Sequence, residues 1–317
     1  MSMGFVRGAA ALAGAILLAA SVSCSPTNLK QGAFTTELNG RKIHYEIAGT
    51  GPVLMTVPNS WGLSHEGLMG LYRPLEEHFT LIYFDPRGMG ESGPLLENAD
   101  MGMAAVREDF QALRQHLGLG KVAAIGWSNG ASNLVFLAAE HPETLSAVIF
   151  VHGLASFTAE DERAIAETHP ELFQAANASY GAIKNGNLSP GEADAKLKQF
   201  YVEEYFPALC ADPDSTRSKI ASAFASASFS FRHTEYANEE LPRFDARDKL
   251  AAITVPALVL AGEHDLLPTE KAVEMKEGMP NALLRVFKDS GHFAPLEEPR
   301  SFVASVREFM VGLDTRS

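Results

Sequence analysis

The sequence predicts an α/β protein: a mostly parallel sheet with helices on both faces and a helical insertion late in the chain. Three observations carry this. Short apolar runs at 53–57, 81–84, 122–125, 147–151, 256–261 and 283–287 alternate with helical segments, the pattern of buried parallel strands joined by crossover helices. At Gly126-Trp127-Ser128-Asn129-Gly130 an apolar strand turns directly into a helix through the form G-x-S-x-G. From His152 to about Asp248 the strand signals vanish and helical segments dominate.

The 317 residues suffice for one large α/β domain with an insertion or for two small domains. A net charge of −13 argues against nucleic acid or acidic lipid as a partner. The first residues are a separate unit. Arg7 precedes an apolar block at 9–20, followed by Ser21-Val22-Ser23-Cys24. This block is too short to span a bilayer and has the layout of a secretory signal peptide over residues 1–24. Cys24 sits where a bacterial lipoprotein signal places its lipidated cysteine, and the segment resembles a lipobox with Ser21 in place of the usual leucine. The expectation is an exported protein: periplasmic, secreted, or a lipoprotein whose membrane contact is a lipid anchor at Cys24. Once Cys24 is removed or lipidated, Cys210 is the remaining cysteine, so no disulfide framework can form. Neither cysteine has metal-ligand spacing.

Taken in order, residues 34–48 read as a hairpin about Asn39-Gly40, a strong two-residue turn signal. The strand at 53–57 runs into Pro58-Asn59-Ser60-Trp61-Gly62, which cannot be helical. A helical piece ends at 74–78, the strand at 81–84 follows, and 85–93 is a tight loop. Residues 104–117 have helical periodicity and a Gly118 stop. The central strand, turn and helix occupy 121–139, and 147–151 is a further buried strand. The insertion, 152–248, includes a helix over 190–206 and holds 12 of the 28 aromatic residues in under a third of the chain. It reads as a cap with an apolar underside or as a second unit with its own aromatic core. The α/β pattern then resumes with a strand at 256–261, a helix at 269–278, a strand at 283–287 and a closing helix at 299–310.

The G-x-S-x-G turn needs glycines because a sharp strand-to-helix reversal leaves no room two residues either side of the serine. Alone it is a weak signal, expected by chance in roughly one chain of this length in ten, and it also fits a plain helix N-cap. A nucleophilic serine needs a base, and the base needs an orienting group. Both candidates lie just past later strands, where the loops of an open α/β sheet converge: Gly262-Glu263-His264-Asp265 and Ser290-Gly291-His292-Phe293. The order Ser128, Asp265, His292 is the hydrolase order. Singly, Asp265 is as readily a turn former and His292 a loop histidine; three such residues at three strand ends favour chemistry.

With those motifs in hand, residues 34–315 resemble the α/β-hydrolase fold superfamily, in its serine-triad branch. The matches are GWSNG at 126–130, DPRGMGES at 85–92, GEHD at 262–265 and SGHFAPLEEP at 290–299. The resemblance implies a hydrolase core at 34–151 and 249–315 with a helical cap at 152–248. It implies Ser128 as nucleophile, His292 as base and Asp265, rather than Glu263, as the orienting acid. It assigns the oxyanion N–H groups to Ser60 and Asn129, where the family pattern His-Gly-x is replaced by Pro58-Asn59-Ser60. Arg87, Gly88 and Gly90 read as structural. Trp61, Trp127 and Glu235 are candidate substrate contacts.

The implied activity is acyl transfer from a small ester or amide, with no cofactor or metal. The 85–93 loop and the long cap also resemble the proline iminopeptidase family, in which a carboxylate such as Glu235 would hold a substrate amine. That family has His-Gly-Gly-Pro-Gly and Gly-Gly-Ser-Trp-Gly where this chain has PNSWG and GWSNG. Epoxide hydrolases and haloalkane dehalogenases share the fold but use an aspartate nucleophile, which Ser128 argues against. Perhydrolase and carbon–carbon hydrolase activities use the same triad and stay open. A non-catalytic binding protein on this scaffold would ordinarily have lost part of the triad.

Overall fold

The computed structural model of the protein describes residues 29–314; the expected signal segment at 1–24 lies outside the described residues. Eight strands form one sheet in the order β1-β2-β4-β3-β5-β6-β7-β8. β1 (Gly32–Leu38) and β2 (Arg41–Ala48) make the expected hairpin. Asn39 and Gly40 both have positive φ, 51° and 69°, as a tight two-residue hairpin turn requires. β2 joins the rest by antiparallel pairing with β4 (Thr80–Phe84). From there β3 (Val53–Val57), β5 (Val122–Trp127), β6 (Leu145–Val151), β7 (Ala257–Gly262) and β8 (Ala282–Phe287) are all parallel. The α/β expectation is met.

Strands β3 to β7 are apolar because both their faces are covered. Residues of alternating parity feed two separate cores. Leu54, Ile125, Ile149 and Leu258 point into one, with α1 (His65–Tyr72) and the insertion. Met55, Ala124, Val148 and Val259 point into the other, which includes Phe110 of α2 (Met103–His116) and Leu134 of α3 (Asn129–Glu140).

Between β6 and β7 the described chain is helical: α4 (Ala159–Thr168), α5 (Pro170–Asn185), α6 (Pro190–Phe200), α7 (Phe206–Ala208), α8 (Pro213–Ala223) and α9 (Phe231–Glu240). The single helix expected over 190–206 is interrupted. Tyr201–Tyr205 form one wide π-helical turn before α7. Pro207, at the start of α7, supplies no N–H and its ring crowds the carbonyl one turn earlier, which favours the wider turn. Its effect is functional, because Tyr201 and Tyr205 face the cavity described below. The chain closes with α10 (Thr269–Gly278), α11 (Ala294–Glu297) and α12 (Pro299–Asp314). No helix among the described residues is long and apolar enough to cross a membrane.

The 85–93 loop is a polar brace. Asp85 accepts the His65 N–H and Nδ1 through one oxygen (2.8 and 2.9 Å) and the Glu91 N–H through the other (2.9 Å). A Cβ at Gly90 would lie 2.1 Å from that carboxylate, so only glycine fits. Arg87 is buried and donates to Asp109 (2.8 Å, twice) and Asp100 (3.0 Å). Burial alone would raise the Asp100 carboxyl, but Arg41, the Leu96 N–H and Arg87 outweigh it and hold it well below the ordinary range. Arg87→Met should therefore destabilise the protein by about 3 kcal/mol, because buried Asp109 loses its counter-charge and Asp100 is left with Arg41 alone. Asp100 contributes stability fully above pH ~4 and loses it as pH falls toward its depressed native value. Urea titrations at pH 7 and pH 3 should show the wild-type advantage over Arg87→Met shrinking at the lower pH.

Candidate active site

The site is built at the C-terminal edge of the sheet. At the end of β5 the chain reverses into α3 through Ser128, whose backbone is strained (φ 55°, ψ −123°). A Cβ at Gly126 would meet the Gly130 carbonyl at 2.5 Å, and one at Gly130 would meet the Val57 carbonyl at 2.4 Å. Both glycines are thus fixed by backbone contact. The loop after β7 supplies Asp265, and the loop after β8 supplies His292.

These three side chains form one hydrogen-bonded chain. His292 Nε2 lies 2.9 Å from Ser128 Oγ. His292 Nδ1 lies 3.0 Å from both Asp265 oxygens. The Leu267 N–H also donates to Asp265, at 3.0 Å. A carboxylate accepting on Nδ1 fixes a hydrogen there and leaves Nε2 free to take the serine proton. Burial works against charging Asp265, but its charge interaction with His292 and the hydrogen bonds from His152 and His292 outweigh that and hold the carboxyl below the ordinary range.

His152 is a participant the sequence reading placed only at the start of the insertion. It is the first residue after β6, its side chain is fully enclosed, and its Nδ1 is 2.7 Å from Asp265 Oδ2. Its sequence signal is slight: a histidine directly after a buried strand, as Ser128 directly follows β5.

The oxyanion side differs from expectation. Ser60 was expected to offer its N–H to substrate, yet that N–H donates to Asn129 Oδ1 at 2.8 Å, and the Ser60 hydroxyl donates to the same oxygen at 2.9 Å. The Asn129 side chain, absent from a pattern based on backbone positions, reaches back across the turn. Gly130 N–H is likewise taken, by Asn59 Oδ1 at 2.8 Å. The Asn129 N–H, at the first position of α3, has no intrahelical acceptor.

The His292 loop is held from several sides. Its N–H donates to Leu209 O (2.8 Å), and its carbonyl accepts from Trp127 Nε1 (3.0 Å). Glu297 gathers the N–H groups of Gly291 (3.0 Å), Phe293 (3.0 Å) and Ala211 (2.7 Å). One carboxylate thus ties the loop to the insertion. Cys210, beside it, is buried, and burial pushes its thiol up to about 12, so it is inert as a nucleophile.

A cavity of about 440 Å³ opens above Ser128. Trp61 and Trp127 line it, with Phe157, Phe173, Tyr205 and Phe206 among the aromatic walls. Trp61 donates its indole N–H to Tyr201 (3.1 Å), whose hydroxyl pairs with that of Tyr180 (2.9 Å). Glu235 does not line the cavity. It lies on the outer surface, 39% exposed, paired with Lys184 at 3.0 Å. A helical glutamate in sequence does not reveal which way its helix faces, and α9 turns this one outward. Among the described residues, the one carboxylate lining the cavity is Glu162, exposed at the rim on α4, and no lysine or arginine lines it.

Two trios place potential metal-ligand atoms within 4.8 Å of one another, His44/His65/Asp85 and His152/Asp265/His292. Among the described residues, His65 Nδ1 is already bonded to Asp85 in the first trio, and in the second both histidines bond Asp265, which there suits proton chemistry better than metal ligation.

A family model described as alpha/beta hydrolase fold matches residues 54–299. A proline iminopeptidase of Saccharolobus solfataricus is 23% identical, covering 84% of this chain and 87% of that protein. A pimeloyl-acyl-carrier-protein methyl ester esterase of Vibrio vulnificus is 25% identical, covering 84% of this chain and 97% of that protein. Among solved structures, an alpha/beta fold family hydrolase from Bacillus anthracis superposes with a TM-score of 0.71 at 19% identity, over 88% of this chain and 99% of that one.

Glu297→Ala should loosen the His292 loop. The loss of a half-buried carboxylate accepting three N–H groups is expected to cost about 1–2 kcal/mol in chemical denaturation, with Glu297→Gln losing less. Equal stability of Glu297→Ala and wild type would show that the carboxylate does not hold the loop.

Proposed function

Because the chain belongs to the α/β-hydrolase fold family, we propose that it is a serine hydrolase that cleaves small, uncharged carboxylic esters through an acyl-enzyme. The observation that carries this is the Ser128–His292–Asp265 chain under an aromatic cavity without lysine or arginine.

Ser128 Oγ attacks the ester carbonyl while His292 Nε2 takes its proton, and Asp265 holds the imidazole in the required tautomer. Charge develops on the carbonyl oxygen next to the Asn129 N–H. That anion also competes with the neutral Asn129 Oδ1 for Ser60, and a charged acceptor makes the stronger bond. Ser60 thereby becomes a second donor as Asn129 yields. The tetrahedral species collapses, the leaving alcohol takes the proton from His292, and water repeats the sequence on the acyl-enzyme.

The aminopeptidase alternative rests on Glu162, which a substrate amine at the cavity rim could reach, and no longer on Glu235. A protonated amine carried into the aromatic interior would lack a partner there, at a cost of several kcal/mol. The ester reading is favoured for that reason.

Ser128→Ala should abolish fluorophosphonate labelling and turnover of p-nitrophenyl esters while the far-UV spectrum persists. The wild type should hydrolyse these esters and leave a prolyl anilide uncleaved, and Glu235→Gln should match wild type. Brisk anilide turnover, with Glu162→Gln raising KM for the anilide but not for a neutral ester, would instead establish the aminopeptidase.

Export, and a lipid at Cys24, are also part of the proposal; they rest on the sequence of 1–24. In a Gram-negative host, mass spectrometry should find processing before or at Cys24, with a diacylglyceryl adduct if the lipobox is used. A cytoplasmic chain beginning at Met1 would refute this.

A further inference from the structure

Asp265 is held between two imidazoles. His292 meets both carboxylate oxygens at 3.0 Å, and His152 meets Oδ2 at 2.7 Å from the other side. The two rings are 5.3 Å apart, centroid to centroid. The His152 backbone is left-handed, φ 51°, a region uncommon for residues with a Cβ, in which histidine is found more often than most. Its N–H pairs with Leu260 O on β7 at 2.8 Å, which locks that conformation beside the Asp265 loop. Both ring nitrogens are engaged, the second by the Ala294 N–H at 3.3 Å.

That second contact decides the tautomer. A backbone N–H can only donate, so Nε2 bears the lone pair and Nδ1 bears the hydrogen. His152 is therefore a neutral donor to Asp265. Burial pushes its pKa down, against the opposing pull of Asp265; the charges it feels besides are His292 and Glu297. Since it is neutral, what it gives Asp265 is a hydrogen bond rather than a positive charge. Nor can it relay a proton, because its far nitrogen faces a donor.

We propose that His152 is a positioning residue for the hydrolysis: its Nδ1–H clamps Asp265 Oδ2, fixing the carboxylate that orients His292. This rests on the functional reading above. The clamp acts through Asp265: the His152 side chain is fully enclosed, although the residue borders the cavity. It also withdraws basicity from the carboxylate, so that the transferred proton stays on His292.

The experiment compares His152→Leu, which removes the donor, with His152→Asn, whose amide N–H can reach the Nδ1 position and which tolerates positive φ. His152→Leu should lower kcat about 10- to 100-fold, the loss of one hydrogen bond to a charged group, with KM for a p-nitrophenyl ester unchanged. The acid limb of its kcat/KM profile should move to higher pH, because an unclamped carboxylate stabilises the protonated imidazole more. His152→Asn should recover most of kcat and the wild-type acid limb. A folded His152→Leu with wild-type kcat and profile, or Leu and Asn variants equally impaired, would overturn the proposal.

Nitrogen-15 histidine spectra of the wild type test it independently of activity and of whether the leucine variant folds. His152 should show the Nδ1–H tautomer at neutral pH and protonate only below the range of an ordinary histidine, and its resonance should vanish in His152→Asn. An Nε2–H tautomer, or a His152 that is protonated at neutral pH, would refute the clamp. A wild type that neither labels nor hydrolyses esters would sink the serine-hydrolase reading instead, and leave the tautomer result standing.

Discussion

The site depends on one close approach, that of the start of α3 to the ends of β3 and β5. Gly130 sits against the Val57 carbonyl and Gly126 against the Gly130 carbonyl, at separations where a methyl group would overlap backbone atoms. Backbone cannot move aside as a flexible side chain can. That contact forces the reversal at Ser128 and places its strained residue at the sheet edge. It also brings Asn129 within reach of the loop after β3, so the contact that raises Ser128 also sets the Ser60–Asn129 pairing beside it. Asn59 fastens the same junction by accepting the Gly130 N–H, and Asn133 by donating to Pro58 O at 3.1 Å.

Asp265 and His292 are held by a different device, a net of hydrogen bonds that converges from several strands. Asp265 receives donors from His152, Leu267 and His292, so segments following β6, β7 and β8 all meet at one carboxylate. The His292 loop is tied to Trp127 on β5, to Leu209 and, through Glu297, to Ala211. The insertion is therefore part of the site's scaffold. Its 228–230 segment adds a second seam, a bridge between Leu63 and Phe229 flanked by the Ser64 N–H to Ser228 O bond at 3.1 Å. Both loops nearest the reacting serine are thus stitched to the insertion.

What the sequence made legible follows from how local each constraint is. Strands β3 to β7 were readable because burial on both faces demands continuous apolar runs. The hairpin was readable because Asn39-Gly40 meets a local φ requirement. Ser128, Asp265 and His292 stood out because each follows such a run within a short polar motif. His152 also follows one, but nothing adjacent marks it, and its partner lies 113 residues away. The reach of the Asn129 side chain to Ser60 depends on a rotamer set by two loops, and the outward turn of Glu235 on the orientation of α9. The break at 201–205 had a local cause, Pro207, whose effect appears only as a widened turn.

The cavity adds a directional element to the chemistry. A neutral ester or amide entering the aromatic chamber gains from burial, since each apolar group removed from water contributes favourably. Hydrolysis converts the acyl part into a carboxylate, and the chamber has no lysine or arginine to pair with it. An unpaired charge in such surroundings is strongly disfavoured relative to water. The carboxylate of Glu162 at the rim adds repulsion of the same sign. The aromatic walls favour entry of a neutral substrate, and their lack of lysine or arginine disfavours retention of a charged product. The same lack disfavours any substrate that is already an acid and favours a small ester or amide whose charge appears only after the bond is cut.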